Sequence, residues 1–169
     1  MVPDNFLGIE SPYCDYNYAK AIILPIPYEK TSSYGIGSAS GPKAIIEASK
    51  QVELYVIETN SEPYLRGVHT AKPVKAEDAS FLVGEASEQI KRYINDKKLV
   101  ITLGGEHTTS IAPIKAYTET HKKLSILHLD AHSDRRDSYE DNPYSHASAM
   151  ARVGEYCKNI VSVGIRSMD

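Results

Sequence analysis

Asp130, His132 and Asp134 stand two residues apart in the segment Asp-Ala-His-Ser-Asp, placing three metal-competent side chains at i, i+2 and i+4. Alternate side chains of an extended strand share one side, so this spacing offers all three together. Fully extended, the Cα atoms of Asp130 and Asp134 would lie about 13 Å apart at ~3.3 Å per residue. A single ion would need the loop to curl, whereas two adjacent ions sharing a carboxylate would fit that spread. Carboxylate and imidazole without thiolate suit Mn²⁺ first, and the same ligand types admit Zn²⁺, Fe²⁺ or Ni²⁺. The competing reading is structural: Asp130 ends a strand and the acids flank a turn.

Gly104-Gly105-Glu106-His107-Thr108 closes the apolar run before that segment. Two glycines let backbone approach a ligand closely and offer His107 at the same edge. Alone, such a turn is more often only a turn; beside Asp130, His132 and Asp134 it brings a fourth ligand to one crevice. His128 shares the parity of Asp130 and is expected to be hydrogen-bonded rather than ligating. His121 reads as a solvated helix end, and His69 carries no assigned role. Cys14 and Cys157 read as a loop residue and a packed helix residue. There is no G-x-S-x-G elbow, P-loop or G-x-G-x-x-G.

The elements that must carry these residues alternate. Short apolar runs at 21–27, 99–103, 125–130 and 160–165 read as strands, with a brief further strand near Val68. Amphipathic spacing predicts helices from Pro42 toward Val56, at 78–96, at 109–120 and at 144–156. The Ser-, Thr- and Gly-rich stretch 28–40 is long for a strand-to-helix connection, which marks it as functional or mobile. Strands apolar on both faces, alternating with helices, predict an α/β fold: a three-layer α/β/α arrangement around a mainly parallel sheet. Ligands of such sheets sit beyond the carboxyl ends of the strands, where His107 and Asp130–Asp134 fall.

Composition excludes several classes. The 169 residues are 41% hydrophobic and 24% charged with a net charge of −3, so one globular domain is expected and no cationic surplus serves nucleic acid. No apolar run approaches the length of a membrane span, and no secretory h-region is visible at the start. Two cysteines make no disulfide framework, so a reducing, cytoplasmic setting is expected.

The segments GGEHT (104–108), LHLDAHSDRRDSYEDNPYSHASAMARV (127–153) and VSVGIR (161–166) resemble the ureohydrolase family of arginases and agmatinases. TSSYGIGSASGPKAIIEAS (31–49) resembles that family's first active-site loop and helix. The Arg-Asp after DAHSD and the YSHAS that follows are closer to the agmatinase branch. The resemblance implies an arginase-like α/β/α fold and two Mn²⁺ ions per subunit. His107 and Asp134 would bind one ion, His132 the other, and Asp130 both. It places His146 at the family's catalytic histidine, a proton shuttle, where the plainer reading is a polar helix-start residue. Glu106 stands where the family often has Asp. It also implies a homo-oligomer, trimer or hexamer, and a small cationic guanidino substrate hydrolysed to urea and an amine.

Agmatine, giving putrescine, is the leading substrate. Aminopropyl-agmatine, guanidinobutyrate, arginine or a truncated non-catalytic paralogue are the alternatives. Asp137, with Glu140 and Asp141, would favour a cationic tail or simply form a solvated cluster. Arg136 stands where arginases present an Asn that helps bind the substrate carboxylate, and either pairs with an acid or selects a carboxylate-bearing substrate. A metallophosphatase would need GDxxD and GNH[DE] segments, which do not occur. Residues 1–169 thus read as a single ureohydrolase domain lacking its C-terminal portion, because the family's S-x-D-x-D segment with two further ligands is not reached. Asp169 cannot replace it.

Overall fold

The computed structural model describes residues 2–168, so Asp169 lies outside the described residues. Strand β1 (Ala21–Ile26) is the centre of a parallel sheet, flanked by β2 (Val68–Thr70) and β3 (Leu99–Gly104). Ile22, Leu24 and Ile26 are fully buried on one face and Ile23 on the other, as a central strand requires. Pro25, which cannot donate to a ladder, is tolerated because β2 ends opposite Ile23. Its carbonyl accepts the Val74 N–H at 3.0 Å instead.

Helix α1 (Gly41–Ser49) follows the long loop, with Pro42 where a missing N–H costs nothing. The apolar spacing toward Val56 is not used as helix. The chain leaves α1 after Ser49, and an isolated bridge joins Val56 to Ser61 around a left-handed Asn60. Val52 and Tyr55 are accordingly about half exposed. Helix α2 (Ala79–Asn95) is capped by Asp78, whose side chain accepts the Phe81 N–H. It lays Leu82, Ala86 and Ile90 on β1, together with Ala112 and Ala116 of α3 (Ile111–Thr120). Burying Leu82 and Ile90 contributes about 1.5–3 kcal/mol each.

A second parallel sheet pairs β4 (Ile126–Leu129) with β5 (Ile160–Val163), Ile126 opposite Ile160. Among the described residues β4 does not pair with β3, so the expected single sheet is divided in two. The helical layer bridges the division. Val83 of α2, Ile111 of α3 and Met150 and Val153 of α4 (Ala149–Tyr156) form one buried cluster, with Ile126 and Ile160 packed on it. The alternate residues Leu127, Leu129, Val161 and Val163 face away from that layer and are 52–70% exposed. Helices α3 and α4 begin later than their apolar spacing suggests, because His107–Ser110 and His146–Ser148 each form a single 3-10 turn first. No helix among the described residues is long and apolar enough to cross a membrane.

Candidate metal centre

The ends of β3 and β4 and the 3-10 turn before α4 deliver the site. At the end of β3, a Cβ on Gly105 would overlap the Tyr28 carbonyl oxygen, so only glycine lets the two segments meet. The next amide, Glu106 N–H, then donates to that same carbonyl at 3.0 Å. This contact clamps the loop after β1 against the turn that carries His107.

At the end of β4 the chain curls. Asp130 N–H donates to Val163 O at 3.1 Å, and Asp130 Oδ1 accepts the His132 N–H at 2.9 Å. Asp134 takes a left-handed φ of 50°. Its carbonyl then accepts the Met150 and Ala151 N–H groups at 2.9 and 3.2 Å, satisfying the first turn of α4. The extended geometry read from the D-x-H-x-D spacing is therefore replaced by a loop that folds the second aspartate back.

The consequence is a compact donor cluster. Ligand-competent atoms of His107, Asp130 and Asp134 all lie within 4.8 Å of one another. His107 Nδ1 is 2.5 Å from Asp134 Oδ2 and 3.2 Å from Asp130 Oδ2. His132 stands apart, its Nδ1 3.7 Å from the other Asp130 oxygen, Oδ1. His128 contacts Asp130 Oδ2 at 3.3 Å through Nε2 and Ser162 Oγ at 3.1 Å through Nδ1. It thus holds the carboxylate from behind.

The hydrogen bond from Asp134 raises the His107 pKa above the ordinary histidine value against the opposing effect of burial, with the Asp134 and Asp130 charges adding to the rise. Burial works against ionisation of Asp130, yet the His132 amide and the neighbouring His107 and His128 hold its carboxyl below the usual value.

His146 sits in the lead-in turn of α4 and lines a cleft of about 260 Å³ with His107, His132, Asp134 and Arg136. The structure thus brings His146 to the same cleft as His107, His132 and Asp134. Its Nε2 lies 3.1 Å from Ser33 Oγ, and its ring meets Tyr139 edge-on at 5.7 Å between centroids. Arg136 stacks over the Tyr139 ring at 5.1 Å. Asp137 pairs with Arg152 Nη2 at 2.7 Å with its side chain 99% exposed, and it is not among the residues lining the cleft.

Thr31, Ser33 and Tyr139 were not singled out by type or spacing. The signals for the first two are the length and Ser/Thr content of the 28–40 loop and its place in the segment 31–49 that resembles an active-site loop. Glu106 is buried, and three donors converge on it: Thr31 N–H and Ser32 Oγ on one oxygen, Thr31 Oγ1 on the other.

The chain is 35% identical to an N(1)-aminopropylagmatine ureohydrolase of Thermus thermophilus over 91% of its length and 53% of that protein. It is 32% identical to an agmatinase of Pyrococcus horikoshii over 94% of its length and 56% of that protein. It superposes on the crystal structure of agmatine ureohydrolase of Thermoplasma volcanium with a TM-score of 0.86 at 27% identity, covering all of this chain and 57% of that one. The chain spans about half the length of the curated relatives it matches. The Arginase family description matches residues 19–169, the stretch that contains β1 through β5 and every donor described above, and the chain belongs to that family.

Proposed function

We propose that the protein carrying these residues hydrolyses a guanidino compound to urea and an amine at a two-manganese centre, with agmatine as the leading substrate. The observation that supports this best is the division of Asp130, whose Oδ2 faces His107 while its Oδ1 faces His132. A carboxylate addressed from both oxygens is suited to bridging two cations. The donor set fits the ions: oxygen and imidazole without thiolate match Mn²⁺. The convergence of two carboxylates and an imidazole within 4.8 Å is a cluster that a cation would compensate.

His107, Asp130 and Asp134 would hold one ion, with Asp130 and His132 contributing to the second. When bound, such ions lower the pKa of water toward neutrality and so supply the nucleophile for the planar guanidinium carbon. His146 Nε2, in the same cleft, carries the proton that the departing amine needs, since an unprotonated amine is a poor leaving group. Arg136, held over Tyr139, lines the cleft, where it either pairs with an acid and leaves a cationic tail acceptable or selects a carboxylate-bearing one. A second reading, N(1)-aminopropylagmatine as substrate, is favoured by the relatives that bear that name.

The test is urea release in Mn²⁺ from agmatine, N(1)-aminopropylagmatine, guanidinobutyrate and arginine. Agmatine or its aminopropyl derivative is expected to lead. Preference for arginine overturns the substrate assignment, and no urea from any of the four overturns the reaction class.

A further inference from the structure

Thr31 Oγ1 is the junction between Glu106 and His146. It lies 2.8 Å from Glu106 Oε1, 2.8 Å from the His146 backbone nitrogen and 3.5 Å from His146 Nδ1. A threonine hydroxyl owns one proton and two lone pairs. Both Glu106 oxygens are approached by donors, Oε2 by Thr31 N–H at 3.2 Å and Ser32 Oγ at 3.0 Å. Glu106 therefore acts here as an acceptor, and the single Thr31 hydroxyl proton is committed to it. What Thr31 shows to His146 is only lone pairs. One takes the His146 backbone N–H, and the other faces Nδ1.

We propose that Glu106, acting through Thr31, is a positioning residue that fixes His146 in the Nδ1–H tautomer. An oxygen that can only accept favours the proton on the nitrogen it faces, even across a long contact. Nε2 is then left with its lone pair toward Ser33 Oγ, whose hydroxyl is free to rotate and donate. The nitrogen exposed to the cleft is thereby the one that takes up and returns a proton, and the ring does not need to flip between turnovers. The same contacts tie the 28–40 loop to the α4 lead-in turn, so the loop and the tautomer are set together. This inference rests on the reading of His146 as the proton carrier, but the tautomer itself needs neither metal nor substrate to be observed.

The experiment is ¹⁵N NMR of the histidine-labelled chain at a pH that leaves the ring neutral, with His146 assigned by its loss in His146→Gln. The wild-type ring is expected to show Nδ1 at the protonated-type shift and Nε2 at the unprotonated-type shift. In Thr31→Val the oxygen is gone, and in Glu106→Gln the amide can donate to Thr31 and release its hydroxyl proton toward Nδ1. Both variants should exchange the two shifts, while Thr31→Ser, which keeps the hydroxyl, should restore the wild-type pattern. A wild-type ring in the Nε2–H form overturns the proposal whatever the variants do. Variants that stay folded, judged by spectral dispersion, and keep the Nδ1–H form also overturn it. A chain that shows the predicted tautomers but whose protein releases no urea would fail the functional reading alone.

Discussion

His146 lies in the lead-in turn of α4, outside the cluster formed by His107, Asp130 and Asp134, so the two kinds of residue should fail differently. His146→Ala, in the protein carrying this site, is expected to lower kcat by about 10²–10⁴-fold, the usual contribution of a positioned acid. Bound manganese should be unchanged, and loss of metal in that variant would make His146 a ligand. His128→Ala has the opposite signature. It removes the imidazole 3.3 Å behind Asp130 Oδ2 and should weaken manganese binding by roughly 10–100-fold, as outer partners of metal ligands do. Equilibrium dialysis with metal analysis reads both effects; an unaltered affinity would show that Asp130 holds its position without His128.

At the scale of elements, the 28–40 loop is kept in place by two carboxylates. Glu106 holds its first half, and Glu29 Oε2 accepts from Gly37 N–H, Ser38 Oγ and Ala39 N–H at 2.8–3.0 Å in its second half. The Ala39 and then Gly37 amides hold the Glu29 carboxyl below the ordinary glutamate value. A depressed folded-state pKa stabilises the loop above the unfolded value and is lost as pH falls through the folded one. Amide exchange at Gly37 and Ala39 should therefore accelerate, relative to its intrinsic rate, below about pH 4.5, the ordinary glutamate value. Glu29→Gln should show faster exchange already at neutral pH, and unchanged protection in that variant would remove Glu29 from the account. The anchor at the other end is steric. Gly105→Ala puts a methyl against the Tyr28 carbonyl, backbone that cannot swing aside, and should cost about 1–3 kcal/mol by overpacking. Urea denaturation checks it.

The whole molecule is unequally covered. The face of β4–β5 opposite α4 presents Leu127, Leu129, Val161 and Val163 to solvent, and the β3 residues Leu99 and Ile101 are 60% and 41% exposed. Contiguous apolar surface of this kind marks an interaction or aggregation liability. The 169-residue chain should bind a hydrophobic dye such as ANS, and the pair Leu127→Lys with Leu129→Lys should reduce that binding while thermal stability holds. Ile126→Lys, on the packed face, should instead unfold the chain. Equal effects of the two sets would mean that both faces are covered in solution.

The sequence by itself determined the alternation of strands and helices and the four metal-competent side chains, because both signals are local. A continuous apolar run places β1 and a period-3.6 pattern places α2, and Asp130, His132 and Asp134 lie within five residues of each other. The sequence also carried the resemblance that pointed to His146. Tertiary structure decided what depends on distant parts of the chain. The left-handed turn at Asp134 is stabilised by amides of α4 and brings its carboxylate to His107 from 27 positions away. Thr31 reaches Glu106 across 75 positions and His146 across 115, contacts no window of sequence can report. Likewise the end of α1 at Ser49 and the division between β3 and β4 contradict sound local patterns. Amphipathic spacing describes which face could be buried, and only packing decides whether anything lies against it.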